Sequence, residues 1–386
     1  MRRTGQGNED MNEASRQDLA WIEGKDRRLE VLSPAPLVLS TPVGLLAGKR
    51  IIDKESMFVR NIQDLAEAHS LEPQPIEGWT IELSGLIDPT RLVISAKELL
   101  EMDQVENEMV LQCSGNGRSQ YQATPGTPWK QGGVANVRFA GVPLSTLLQE
   151  HGVRVDPRAK YVTAEGKSLS AGQGLPGLEH SLPVAEVLER SILALTLNGE
   201  SLPGIHGGPV RLVTPGFFGT MQLKWLARLR FEIAESPSFH HATEYRVPLS
   251  PVKPGEDFDF TLENSRPTWF LRLMSYVLDP EPGAELVAGP VTVSGVAYND
   301  GAARLASVLV SFDRGHSWQP AEFQTPESPY AWYQWTTQAD LEPGICEIWS
   351  RATDALGRTQ PLDGSVFWNP NGYEWTGVVK TEVTVA

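Results

Sequence analysis

Two cysteines in 386 residues, at positions 113 and 346, are too few and too far apart for a disulfide framework. The seven histidines show no metal-ligand spacing, and there is no Cys-x-x-Cys-His motif for covalent haem attachment. No apolar run reaches the length of a membrane span; residues 36–47 are apolar but short, and Pro42 and Gly44 interrupt them. Positive charge is scarce, with 33 Lys and Arg against 48 Asp and Glu and a net charge of −15. That balance argues against nucleic acid or an anionic membrane as the main partner. An anionic ligand would need its own local positive pocket. There is no internal repeat and no low-complexity segment. Arg2-Arg3 is followed by polar residues rather than an apolar stretch, so no export signal is expected. This favours the cytoplasm, or the periplasm for a chain whose leader has been removed.

What is present is an ordinary globular inventory, long enough for two or three domains. Residues 1–49 form a lead-in; about the first thirty are polar and charged, as in a flexible segment or a short surface helix. Residues 50–248 alternate strand-like and helix-like pieces. Residues 79–85 alternate with period two. Ser95 precedes good helix formers through Leu100, and residues 144–151 and 184–190 read as short helices. Residues 210–213 and 229–233 read as strands. Pro248, Pro251, Pro254 and Gly255 mark a linker. Residues 249–386 change texture: short strands over 291–296, 308–312 and 347–353 are separated by turns, with almost no helical period. The expected fold class is α+β, a mixed α/β domain followed by an immunoglobulin-like β-sandwich. Cys346, in a strand-like run, is read as core.

Cys113 ends an apolar run, Val110-Leu111-Gln112, and Gly115-Asn116-Gly117 then supply a turn able to take positive φ. Arg118 follows at once. A soft sulfur beside a fixed positive charge suits a transition metal paired with an anionic substrate. Taken alone, the cysteine is better read as an ordinary core position before a turn.

Four segments in register carry a resemblance. Cys113-Ser114-Gly115-Asn116-Gly117-Arg118-Ser119 resembles the metal-binding motif of the sulfite oxidase family of molybdenum enzymes. Phe58-Val59-Arg60-Asn61 resembles that family's cofactor and substrate segment. His206-Gly207-Gly208-Pro209-Val210-Arg211, with Gln222-Leu223-Lys224 downstream, resembles its pterin-anchoring segment. Residues 308–318 resemble the start of its C-terminal dimerisation domain. The resemblance runs from Phe58 to Trp368. It implies a sulfite oxidase-like fold, with a molybdopterin-binding catalytic domain over 50–248 and a dimerisation domain over 249–386. It implies molybdenum-molybdopterin as cofactor, with Cys113 as the only protein ligand to the metal. Phe58, Val59, Arg60, Asn61, Ser168, His206, Arg211, Gln222, Leu223 and Lys224 would bind the pterin. Arg60, Cys113, Arg118 and Tyr245 would be catalytic, and Arg60, Arg118, Trp129, Tyr245 and Asn371 would form the substrate pocket. Apart from the resemblance, His206 and Trp129 also suit a core, Arg211 an exposed strand, and Tyr245 a buried domain boundary.

The implied activity is oxidation of sulfite to sulfate. Electrons would pass to a separate acceptor such as cytochrome c or oxygen, since about 50 residues before the first motif leave no room for a haem domain. A homodimer is implied. The departures matter. Family members that oxidise sulfite carry a further arginine in a Trp-Asn-x-Arg segment; here Trp368-Asn369-Pro370-Asn371 puts Asn371 in its place. The histidine that usually follows Arg-Asn is Ile62, and a basic residue ahead of Trp129 is replaced within Thr124-Pro125-Gly126. Nitrate reductases of the family also lack that arginine, but they replace the tyrosine that Tyr245 retains. Another sulfur compound (sulfane sulfur, a sulfoxide) or another oxyanion is therefore a second reading. A third is a non-enzymatic assembly protein built on the C-terminal part.

Overall fold

Alternation along Thr80–Ser84 turns Ile81 and Leu83 into the core and leaves Thr80 in solvent, as a half-buried strand requires. In the computed structural model, which describes residues 22–34, 36–62, 70–167 and 178–386, this strand lies in a five-stranded sheet. The order is Glu179–Pro183, Tyr161–Gly166, Leu226–Glu232, Thr80–Ser84, Arg91–Ser95. Only the Leu226–Glu232 and Thr80–Ser84 pair is parallel. A second sheet orders Glu200–Ser201, Ile192–Leu197, Val134–Pro143 and Val105–Gln112, with Arg211–Val213 branching from Ile192–Leu197. Helices Leu144–Glu150 and Val184–Arg190 touch each other and bury Leu144, Leu147 and Val187 in the core that also takes Ile81 and Leu83.

Two further sheets occupy the C-terminal part. One orders Met274–Asp279, Gly289–Tyr298, Tyr333–Leu341 and Glu322–Phe323; the other orders Glu285–Leu286, Lys380–Val385, Gly344–Asp354, Leu305–Ser311 and Gln319–Pro320. Val293, Val308, Val310, Trp335, Ile348 and Val383 from both sheets share one apolar core. Cys346 packs at its edge, half-buried. Arg246–Pro248 pairs antiparallel with Ser265–Pro267, and residues 249–264 between them hold no strand or helix.

Two expectations change. The chain is mostly β, with few and short helices among the described residues. Ser95–Leu100 is not a helix: Ser95 closes a strand, its hydroxyl accepts the Lys97 N–H, and only a 3-10 turn, Glu98–Leu100, follows. So short a run cannot repay helix nucleation. The second change is at the start. Ile22, Lys25 and Leu29 are buried, and strands Glu30–Pro34 and Leu37–Ser40 form a small sheet with Val59–Arg60. Leu37 and Leu39 pack there with Val59 and Ile205. The described residues of 22–49 thus contribute buried positions to a small core of their own, and they hold the segment that carries Arg60.

Candidate active site

The ladder between Val105–Gln112 and Val134–Pro143 ends at Gln112 opposite Val134. The next amide, Cys113 N–H, donates to Gly133 O at 2.8 Å. The turn closes through Asn116 N–H to Cys113 O and Arg118 N–H to Gly115 O, both 3.0 Å. The Asn116 side chain accepts Gly133 N–H at 2.9 Å. Of the three turn residues only Gly117 has positive φ, +84°, and a Cβ there would stand 2.8 Å from Trp375. Glycine is needed for both reasons.

Cys113, 9% exposed, lines a cavity of about 820 Å³, counting its open mouth. Phe58, Arg60, Asn61, His206, Arg211, Gln222, Leu223, Lys224 and Tyr245 line it too. Residues distant in the chain converge because the small N-terminal sheet, the 3-10 turn Gly204–His206, strand Arg211–Val213 and the loop after it abut one another. Val59 does not join them. It alternates with Arg60, pairs with Leu39 and buries its side chain in the N-terminal core. Trp129, fully buried, stands behind Phe58 with ring centroids 5.9 Å apart at 89°, rather than on the wall. Ser168 lies outside the described residues.

The anchoring side of the cavity concentrates positive charge. Lys224 Nζ donates to Asn61 Oδ1 and Ile205 O at 2.8 Å, and to Arg60 O at 3.3 Å. Arg211, 3% exposed, donates to Gln222 O at 3.0 Å and His206 O at 2.9 Å. These acceptors are carbonyl and amide oxygens, never carboxylates. Burial pushes the Arg211 guanidinium down to about 9. Burial, with Arg211, Lys25 and Arg60 nearby, holds Lys224 well below the ordinary amine range. Burial and the surrounding cations likewise keep His206 neutral. Asn61 Nδ2 and Gln222 Oε1 are buried without partners. Uncompensated buried cations and orphaned amides are costly, and an anionic, hydrogen-bonding group in the cavity would relieve both.

Arg118 is not among the residues lining the cavity; it stands behind Tyr245, reached through Tyr373. Its Nε donates to Asn371 O at 3.1 Å, one Nη to Thr127 O at 2.9 Å, and its guanidinium sits 5.0 Å over the Tyr373 ring. A Cβ at Gly115 or Gly372 would come within 2.8 Å of this side chain, so the glycines leave the room it fills. Tyr373 stacks on Tyr245 with centroids 5.5 Å apart and planes 21° apart. Burial pushes the Tyr245 phenol up to about 12, with Arg60 and Arg118 opposing. Asn371 does not face the cavity. Its Nδ2 donates to Glu244 O at 2.8 Å and Arg246 O at 3.4 Å, the carbonyls on either side of Tyr245. An amide can bridge two carbonyls where an arginine would extend past them, so the expected pocket role becomes a bracing one.

Sequence reasoning missed Tyr373 and Glu374, although they sit in the same short segment as Asn371. Glu374, at φ +59°, donates its N–H to Ser114 O at 2.9 Å, and its carboxylate pairs with Arg266 at 2.8 Å and Arg272 at 2.6 Å. Trp368 Nε1 donates to Gln122 O at 2.8 Å, and Trp375 meets Tyr121 edge-on at 4.9 Å. The C-terminal part therefore clasps the cysteine loop. Among the described residues no three His, Cys, Asp or Glu side chains could chelate a metal together. A metal at Cys113 would need its remaining ligands from a bound group. No described helix is long and apolar enough to cross a membrane.

Two family models match: "Oxidoreductase molybdopterin binding domain" over residues 69–240 and "Mo-co oxidoreductase dimerisation domain" over 265–383. The chain is 30% identical to mitochondrial sulfite oxidase of Drosophila melanogaster over 95% of its length and 65% of that protein's. It is also 30% identical to the Homo sapiens enzyme, covering 89% of this chain and 63% of that one. It therefore spans a little under two thirds of these relatives. Among solved structures, the sulfane dehydrogenase SoxCD of Paracoccus pantotrophus superposes with a TM-score of 0.76 at 26% identity, over 92% of this chain and 86% of that chain.

Proposed function

Because this chain belongs to the sulfite oxidase family of molybdopterin-dependent oxidoreductases, we propose that it oxidises a small sulfur anion, with sulfite the first candidate. Water supplies the oxygen, and two protons and two electrons are released per sulfate. The carrying observation is the cavity lined together by Cys113, Arg60 and Tyr245 and the buried cations Arg211 and Lys224. Those cations and the orphaned Asn61 and Gln222 amides fit a phosphate-bearing pterin, and His206, Arg211 and Lys224 would hold it. Cys113 would hold the metal through its thiolate. The bound group supplies the two-electron chemistry.

The chain's own residues do the rest. Arg60 and Arg118 attract and orient the anion, and stabilise charge that develops on it. Tyr245, neutral at any working pH, donates a hydrogen bond to a substrate oxygen. Phe58 and Trp129 keep one wall dry. Electrons leave to a separate one-electron carrier or to oxygen.

We take residues 50–248 as the catalytic unit, with residues 22–49 packed on it. Residues 249–386 would be an immunoglobulin-like sandwich through which two copies pair, consistent with the dimerisation-domain match. The test is metal and pterin analysis followed by sulfite-dependent reduction of ferricyanide or cytochrome c. A fully loaded protein that does not turn over sulfite overturns the sulfite assignment. A second reading, a sulfane sulfur substrate, is favoured by Asn371 bracing backbone where sulfite-oxidising members carry a cation, and by the likeness to a sulfane dehydrogenase. A substrate panel on loaded enzyme separates the two.

A further inference from the structure

Lys25 is a buried ammonium that the proposed chemistry does not use. It is 4% exposed and comes from the segment ahead of the first strand. Its Nζ contacts Met57 O at 2.8 Å, Lys54 O, and His206 Nε2 at 3.0 Å. Two carbonyls and one imidazole nitrogen take up its three donors. Among the described residues no carboxylate bonds to it, although Asp53 and Glu55 act from a distance. It stands one layer behind His206, which lines the cavity with Arg211 and Lys224.

Resting on the cofactor assignment above, we propose that Lys25 is a positioning residue for the anion cradle, fixing the tautomer of His206 and adding a positive charge behind it. An ammonium can only donate, so Nε2 of His206 must accept. The neutral ring then carries its proton on Nδ1, and that N–H is the donor left to the group in the cavity. The same logic governs ligands whose ring orientation is set from behind by a second residue. The Lys54 carbonyl opposes this arrangement only weakly. Burial holds Lys25 down to about 7, so a cofactor phosphate would restore a charge the empty cradle barely tolerates.

Lys25→Met keeps the stem and removes the donors; Lys25→Arg keeps the charge. Molybdenum and pterin per chain are measured in all three proteins, and the full chain expressed without cofactor is titrated with inorganic phosphate. Lys25→Met should weaken phosphate binding about ten- to a hundredfold at pH 6 and lower cofactor content, with partial recovery in Lys25→Arg. The ratio of wild-type to Lys25→Met affinity should shrink towards one by pH 9, as Lys25 discharges. Arg211, Asp53 and Glu55 face the same point in both proteins, whereas His206 and Lys224, which the Lys25 charge depresses, hold protons more readily in Lys25→Met, and the titration is repeated in the His206→Gln background. Nitrogen chemical shifts of labelled histidine, with His206→Gln identifying the signal, should show Nδ1–H in the wild type and a mixed tautomer in Lys25→Met. Unchanged phosphate affinity, or an unchanged tautomer in a folded Lys25→Met protein, overturns the proposal. A wild type that binds phosphate through Lys25 but carries no molybdenum overturns the cofactor assignment instead.

Discussion

The lining of the cavity and the shell of residues behind Tyr245 handle positive charge in opposite ways. On the anchoring side Arg211 and Lys224 meet only carbonyl and amide oxygens, lose charge through burial, and stand beside amides that have no partner. On the clasping side Arg118 is held by two carbonyls and an aromatic face, while Arg266 and Arg272 share the single carboxylate of Glu374. One side is incomplete without a permanent occupant. The other has its hydrogen bonds and ion pairs met within the chain. If the proposed function holds, unmet demand where a cofactor would stay and satisfied groups behind the substrate position is the division expected of a site organised before its reaction.

The sharpest break in that contrast is Cys113→Ser. A hydroxyl is a hard, weakly acidic donor, so turnover should fall to background and the spectrum of the metal centre should change, while melting stays near wild type; survival of activity and spectrum would remove the premise. Next comes Lys224→Met on the anchoring side. Loss of a charge-assisted contact should cut retained cofactor about ten- to a hundredfold, read as molybdenum per purified chain, while any protein still loaded keeps its KM.

Asn371→Arg probes the clasping side and distinguishes two ideas. If the position merely lacked a cation, sulfite KM should fall. Because the Asn371 amide braces the carbonyls around Tyr245, we expect KM to rise about tenfold as that bracing is lost. The smallest effect is on stability. Lys25 and Arg211 have folded pKa values depressed to about 7 and about 9. From pH 7 to 9 the unfolded chain binds more protons than the folded one, so the cofactor-free protein should become more stable as pH rises. Saturating phosphate should flatten that slope in a thermal melt. The absence of any such rise would mean the cradle's cations keep their charge when empty.

Much of the anchoring side was legible because its residues fall in contiguous motifs. His206, Arg211 and Lys224 lie within a short stretch whose glycines permit close packing; a Cβ at Gly207 would touch the Lys224 stem at 2.8 Å. Val59 came in with the resembling segment Phe58-Val59-Arg60-Asn61, and strand alternation turns its side chain to the other face. The clasping side was harder to read. Tyr373 and Glu374 act through contacts made 100 to 260 residues away in the chain, and Lys25 sits in a stretch whose polar composition hides three buried positions. Composition averages over a segment; burial is decided residue by residue. The strand-rich balance escaped for a related reason, since Ser95–Leu100 carries helix formers in a run too short to use them.

The bond from the Glu374 amide to the Ser114 carbonyl spans the two halves of the chain and lands one residue from the sulfur. Any torque on the C-terminal sheets, such as the pull of a second copy settling against them, has a short mechanical path to Cys113. A tilt of the outer module would load this bond and, through it, the turn that carries the sulfur.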